Sequence, residues 1–294
     1  RIYVAKEGIN AQLSVPAENF RSFKKHLDKI SFLKGVRLNI AIEHDMFSFL
    51  KLKVKIRKKI VSDGLVDSDF DVTNIGTHVN AEEFNRLIED QNAVLVDMRN
   101  HYESEIGHFK NALTPDVDTF RDSLDLIENE LKDYKETKKI VMYCTGGIRC
   151  EKASAYYKFK GFKNVFQLEG GIINYKRQVN SLGLENKFIG KNFVFDERRS
   201  ESISDDIIAN CHQCGAPADV HVNCANDACH LLFIQCQDCK AEMEGCCSSQ
   251  CKEINRLPFE EQKTLRRGQG NSNDIFKKGR AKHLLNSKDL RNVL

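Results

Sequence analysis

Cys144 is followed by Thr145, Gly146, Gly147, Ile148 and Arg149, an arrangement that can turn a thiol into a nucleophile. The run before it, Ile140-Val141-Met142-Tyr143, reads as a buried strand, and a helix is expected from Glu151 to about Lys160. In a loop between a strand end and a helix start, successive backbone N–H groups can converge on one point, and the helix N-terminus adds partial positive charge. Gly146 and Gly147 let the backbone curl around the sulfur without Cβ clashes. Arg149 adds a fixed cation. All of these favour the thiolate, which is the nucleophilic form, and the same cradle would stabilise a persulfide. The Cys–Arg ring is one residue shorter than that of cysteine phosphatases, which suits a sulfur atom better than a tetrahedral oxyanion and leaves the sulfur near the surface. A buried structural cysteine is the plainer alternative; two glycines and an arginine in a strand–loop–helix setting argue against it. Cys150 either resolves an oxidised Cys144 as a disulfide or packs under the loop, and the tight geometry favours packing.

A second chemistry lies downstream. Of the 11 cysteines, nine crowd into residues 211–251 and only Cys144 and Cys150 lie outside. Cys211-x-x-Cys214 and Cys236-x-x-Cys239, with 21 residues between them, have zinc-ribbon spacing. Cys224, Cys229, Cys246, Cys247 and Cys251 remain. Four of these can form a second, interleaved site, here assigned to Cys224, Cys229, Cys247 and Cys251 with one of the adjacent pair left over. His212, His221 and His230 are possible substitutes that so many cysteines make unnecessary. Closed thiolate sites are usually structural; an iron–sulfur cluster is the sharper alternative. A secreted disulfide protein would be shorter and carry a signal peptide, so the pattern reads as a reduced, cytoplasmic compartment.

The elements that must position these residues alternate strand and helix. Ala93-Val94-Leu95-Val96, the run before Cys144, and Asn164-Val165-Phe166-Gln167-Leu168 read as strands of a parallel sheet covered by helices on both faces. Asn80 and Glu83 resemble a capping box opening a helix. Upstream, residues 1–59 read as a small α+β domain whose first elements are missing. Ile2 and Val4, then Ala11, Leu13 and Val15, have strand period with Gly8-Ile9-Asn10 as the turn, and residues 17–30 read as a helix with Phe20, Phe23, Leu27 and Ile30 on one face. Residues 60–75, with Asp63, Gly64, Asp67, Asp69 and Asp71, have linker chemistry. The expected division is 1–59, linker 60–75, a central domain 76–182, a cysteine-rich zinc-binding region 183–251 and a basic tail 252–294.

Net charge is only +3 over 294 residues, but it is uneven: residues 252–294 hold 11 Lys/Arg against 5 Asp/Glu, or +6, leaving about −3 for the rest. Such a tail is either a solvated run or a sign of an anionic partner. Residues 47–57 return to strand, and there Lys51, Lys53, Lys55 and Arg57 alternate with Leu52, Val54 and Ile56. A strand places the cations on one face and the aliphatics on the other, so a phosphate-backbone contact is expected. Arg266, Arg267, Lys277, Lys278, Arg280 and Lys282 form a second basic stretch, interrupted by Gly268 and Gly270. No window of eighteen apolar residues exists, so no membrane span is expected.

Val96-Asp97-Met98-Arg99, Glu103, Gly107-His108-Phe109 and Asn111-Ala112 resemble the first signature of rhodanese domains, and Leu168-Glu169-Gly170-Gly171-Ile172 their closing strand and turn. Gly107-His108-Phe109-Lys110 departs from the usual Gly-His-Ile-Pro. In that family Asp97 and Arg99 help organise the active loop; a structural salt bridge is the expected role, and His108 is likewise expected to be structural. With Glu7-Gly8-Ile9-Asn10 upstream and Cys211-His212-Gln213-Cys214 downstream, the chain resembles the bacterial rhodanese-domain tRNA uridine hydroxylases over nearly its whole length, the last forty or so residues excepted. That resemblance implies an α/β rhodanese-like domain between a ferredoxin- or acylphosphatase-like α+β domain and a zinc module. It also implies oxygen-dependent conversion of the wobble uridine of tRNA to 5-hydroxyuridine, with Cys144 as the catalytic residue and molecular oxygen as co-substrate. No flavin or nicotinamide motif and no iron facial triad is visible. A sulfurtransferase acting through a Cys144 persulfide is the alternative enzyme, and a non-catalytic zinc-dependent RNA-binding module the alternative of another class.

Overall fold

The structure, a computed structural model, describes residues 1–42, 48–49, 51–66, 69–267 and 284. Lys277, Lys278, Arg280 and Lys282 of the second basic stretch lie outside the described residues, as does Asp67 of the expected linker.

The chain opens with strands β1 (Ile2–Ala5) and β2 (Gly8–Ala11), helix α1 (Phe20–Leu27) and strand β3 (Val54–Ile56), which form a sheet in the order β2-β1-β3. The hairpin is tighter than the sequence reading: Ala5 pairs with Gly8, so Lys6-Glu7 is the turn and Gly8-Ile9-Asn10 lies in the second strand. That strand stops before Leu13 and Val15, and the helix stops before Ile30, which is exposed. Of the expected strand over 47–57, residues 47 and 50 lie outside the described residues, and among the described ones three form the strand, with flanking bonds from Ile2 N–H to the Lys53 carbonyl and from Arg57 N–H to the Val4 carbonyl. Its aliphatic face is a correction as well. Leu52, Val54 and Ile56 are exposed like the cations they alternate with, because no described element is laid across them.

The central body follows: β4 (Thr77–Val79), α2 (Ala81–Ile88), β5 (Ala93–Asp97), the short α3 (His101–Ser104), β6 (Gly107–Phe109), α4 (Phe120–Leu131), β7 (Lys139–Tyr143), α5 (Ile148–Phe159), β8 (Asn164–Leu168) and α6 (Gly171–Leu182). Strands β4, β8, β7 and β5 lie side by side in that order, all parallel. Alternation along β7 sorts the core. Val141 and Tyr143 face α2 and α6 with Phe84, Ile172 and Tyr175. Ile140, Met142 and, one step past the strand, Cys144 face α4 and α5 with Leu124, Ile127, Ala153 and Tyr157. Helices therefore cover both faces, as an all-parallel sheet requires. Asn80 caps α2 by accepting from the Glu83 N–H at 2.9 Å.

Strands β9 (Phe188–Phe193) and β10 (Ser200–Ser202) join β6 in an antiparallel sheet, and β11 (His221–Asn223) pairs with β12 (Leu232–Ile234) ahead of helices α7 (Gln237–Glu242), α8 (Ser249–Arg256) and α9 (Phe259–Arg266). Among the described residues no helix is long and apolar enough to cross a membrane.

Candidate active site and metal centres

The loop after β7 is held from two sides. Helix α6 begins directly behind it, and its first N–H groups, which have no partner within the helix, are used on the loop. Ile172 donates to the Cys144 carbonyl at 3.0 Å and Ile173 to the Thr145 carbonyl at 3.3 Å. With its carbonyls turned to α6, the loop presents its N–H groups to the sulfur. Gly147 donates to Cys144 Sγ at 3.1 Å, and the nearby N–H groups of Arg149 and Cys150 also favour its charge. Gly171, at φ +65°, is where the closing turn passes this close. A Cβ there would lie 2.6 Å from the Thr145 carbonyl oxygen and still nearer that of Cys144.

These contacts shift the Cys144 thiol from its ordinary value of 9.0 to about 6. The largest cause is a hydrogen bond from the Cys150 thiol. Burial opposes it, while the Arg149 charge and the two backbone N–H groups add to it. Cys150 itself is driven well above 9.0, first by burial and then by its neighbour's charge. The pair therefore favours one thiolate, on Cys144, and one thiol, on Cys150. Cys150 packs in the core under the loop, beside Cys144. Cys144 is only 1% exposed, which corrects the expectation of a sulfur near the surface: the loop's N–H groups fold over it, so a reactant must reach it through the loop's rim.

Arg149 is not free to meet a reactant head-on. Its Nη1 and Nη2 donate to Glu103 Oε1 and Oε2 at 2.8 and 2.7 Å, and Nη1 reaches the Met98 carbonyl at 3.4 Å. Burial works against the guanidinium charge, but Glu103 more than offsets it and raises Arg149 above its ordinary range. Glu103 is itself placed by a capping box with Asn100 at the start of α3. Asp97 and Arg99 form a second pair, fully buried, with Arg99 Nη2 at 2.6 Å from Asp97 Oδ2 and from the Gly107 carbonyl. That pair ties β5 to β6 and does not touch the sulfur. His108 Nδ1–H donates within its own strand, to the Phe109 carbonyl at 3.0 Å.

Contacts from the first forty residues are not legible in the motifs. Asn39 Nδ2 donates to the Gly146 carbonyl at 3.2 Å, and Arg37 Nη1 to Glu169 Oε1 at 2.8 Å. On the far side of α5, Lys152 Nζ pairs with Glu7 Oε2 at 2.6 Å and approaches Asp63 at 3.6 Å. Asp63, read from sequence as linker, is 1% exposed and also binds Lys59 at 2.7 Å; a carboxylate between two lysines is better held than solvated.

The structure brings the cysteines into two groups of four, Cys211, Cys214, Cys236, Cys239 and Cys224, Cys229, Cys247, Cys251, with all sulfurs of a group within 4.8 Å of one another. Either group could hold a metal ion. Cys246, the remaining member of the adjacent pair, is buried outside both. Lys51, Lys53, Lys55 and Arg57 are all exposed, Arg57 lying over the Tyr3 ring at 5.5 Å. Arg266 pairs with Asp227 at 3.2 Å.

Three family models match the chain: the UPF0176 acylphosphatase-like domain over residues 1–60, the rhodanese-like domain over 80–178 and the rhodanase C-terminal region over 189–252. A tRNA uridine(34) hydroxylase of Leptospira interrogans is 56% identical over 280 residues, 95% of this chain and 76% of its own length. The chain belongs to the tRNA uridine(34) hydroxylase family. Another member, from Yersinia pestis, is 56% identical over 281 residues, 95% of this chain and 79% of its own. The family's rhodanese-like region thus coincides with the parallel sheet and its Cys144 loop, and its C-terminal region with the two cysteine groups.

Proposed function

We propose that this chain hydroxylates C5 of the wobble uridine of tRNA in the cytoplasm, with Cys144 as the nucleophile and molecular oxygen as co-substrate. The observation that carries the reading is the Cys144 sulfur, buried in its loop with the Gly147 N–H 3.1 Å away, in surroundings that favour its anion and in a chain of this family. C5 of uridine is a poor nucleophile. Addition of the Cys144 thiolate to C6 makes C5 an enolate-like carbon; one atom of O2 is captured there while an external two-electron donor and two protons carry the other away as water, and loss of the C5 proton with expulsion of the thiolate restores the ring. Thr145, Gly146, Gly147, Ile148 and Arg149 hold the anion before and after. Asp97 and Arg99 support the loop by fixing the neighbouring strand end. A uridine in an anticodon loop leaves its stack at lower cost than one in a duplex, which suits a sulfur beneath a rim.

The two cysteine groups fit zinc. A tetrahedral site with Zn–S of about 2.3 Å has sulfur–sulfur edges of about 3.8 Å, and Cys214–Cys236, Cys229–Cys247 and Cys247–Cys251 stand at 3.6, 3.6 and 3.8 Å. Four thiolates leave no open position, so zinc there would tie the C-terminal segments together. The exposed row Lys51, Lys53, Lys55 and Arg57 is proposed as a contact for the RNA backbone.

The test is nucleoside mass spectrometry of tRNA from a strain lacking its own enzyme and supplied with this chain. The expected result is 5-hydroxyuridine with the parent and none with Cys144→Ser, at equal protein levels. Wild-type modification by the Ser variant would overturn the reading.

A further inference from the structure

We propose that Arg37 receives the phosphodiester beside the target uridine, exchanging Glu169 for it. This rests on the RNA reading above. Residues 37–42 lie against the Cys144 loop and are tied to it and to its neighbouring elements. Asn39 Nδ2 donates to the carbonyl of Gly146 at 3.2 Å and reaches that of Gly170 at 3.5 Å. Arg177 Nη1 donates to the Ile40 carbonyl at 3.4 Å, and the Ile42 N–H to Glu201 Oε1 at 2.9 Å. These bonds fix the segment's backbone and leave the Arg37 side chain over the rim. A Cβ added to Gly147 would stand 3.9 Å from Arg37 Nη2, and Gly147 is the residue whose N–H donates to the sulfur.

Three features assign Arg37 to phosphate. First, Cys144 is covered by its own loop, and a base that reached it past the Gly146–Gly147 rim would bring its flanking phosphates to Arg37. Second, Arg149 is committed through both Nη atoms to Glu103 and is buried, so the loop's own arginine cannot take an incoming anion without giving up that pair. Third, the Arg37–Glu169 pair is half in water, with side chains 41% and 44% exposed. Such pairs are held weakly, whereas a guanidinium fork matches a phosphate in two parallel bonds. Glu169 keeps Arg37 at the rim while no RNA is bound and competes with the RNA when it arrives.

Glu169 makes the proposal separable from a merely structural pair. Loss of a structural pair harms binding whichever partner is removed; loss of a competitor improves it. This chain carrying Cys144→Ser, so that no turnover intrudes, is titrated with a fluorescent anticodon stem-loop bearing the uridine. Adding Arg37→Ala is expected to weaken binding by about tenfold, the order set by a charge-assisted hydrogen bond, and to make the log–log salt dependence shallower by about 0.7. Adding Glu169→Gln is expected to tighten binding. A neutral methylphosphonate placed at each phosphate flanking the uridine in turn should, at one of them, weaken the Arg37 protein and leave the Arg37→Ala protein unaffected. The proposal is overturned if Arg37→Ala binds as the parent does, if both variants weaken binding alike, or if methylphosphonates affect both proteins equally. Hydroxylation by the Cys144-intact chain is scored separately. Its absence would sink the proposed function, while the binding arms would still decide the role of Arg37.

Discussion

Cys150→Ala should make Cys144 a poorer thiolate. The Cys144 thiol lies at about 6 rather than 9.0, and the first cause is the hydrogen bond from Cys150. A hydrogen bond to a charged group contributes about 1.5–3 kcal/mol, and one pKa unit corresponds to about 1.4 kcal/mol. Removing a donor to the anion disfavours the anion, so the midpoint is expected to rise to about 7–8 by that conversion. At pH 7 the thiolate fraction then falls from roughly nine-tenths to half or less, as ordinary titration requires. Above about pH 9 both proteins are largely ionised and the difference closes. The assay is the rate of iodoacetamide alkylation from pH 5 to 10, read by mass spectrometry on the peptide carrying Cys144 so that the other cysteines do not interfere. Cys150→Ser keeps a donor of similar size and is expected to hold the low midpoint. An unchanged midpoint in Cys150→Ala would refute the assignment of Cys150 as donor, and an equal rise in Cys150→Ser would point to packing instead.

Gly171→Ala is expected to lower turnover by about a hundredfold or more, because the new Cβ meets the Cys144 and Thr145 carbonyls and shifts the loop. Gly183→Ala is the control: it has the same φ of +65° and nothing within 4 Å, so it should cost about 1 kcal/mol of stability and leave turnover intact. Reversing charge at Lys53 and Lys55 together is expected to weaken tRNA binding and to reduce the log–log salt slope by roughly 0.7 to 0.9 per lost phosphate contact; an unchanged slope would return this face to solvent. Elemental analysis of protein purified without chelator is expected to find two zinc ions per chain, filling the two groups of four cysteines, and chelation is expected to unfold the C-terminal region first. Iron with visible absorbance would replace zinc in this account.

The parallel sheet and the Cys144 loop were legible because they are local. Continuous apolar runs such as Ile140-Val141-Met142-Tyr143, a glycine pair and a cysteine at a strand end are adjacent in the chain. The cysteine groups were legible for a related reason: short knuckles such as Cys211-x-x-Cys214 limit the partition, although spacing alone could not choose between Cys246 and Cys247. What escaped is long-range. Glu103 was visible as part of a signature, but its grip on Arg149 spans 46 positions, and that of Asn39 on Gly146 spans 107. Side chains with such roles carry no periodic or spacing signal. The burial of Cys144 escaped because ring length does not say which way the loop's N–H groups fold. The exposed Leu52, Val54 and Ile56 show the converse limit: alternation specifies two faces and does not say that either is covered.

The most direct test of the central claim is a trap. A tRNA carrying 5-fluorouridine at the wobble position has no C5 proton to lose, so once C5 has captured the oxidant the thiolate at C6 cannot leave by elimination and stays attached. The account predicts a protein–RNA adduct that survives denaturation and maps by mass spectrometry to Cys144. It would be contradicted if no adduct formed under conditions where the natural tRNA is hydroxylated and intact-mass analysis instead showed Cys144 carrying one extra sulfur.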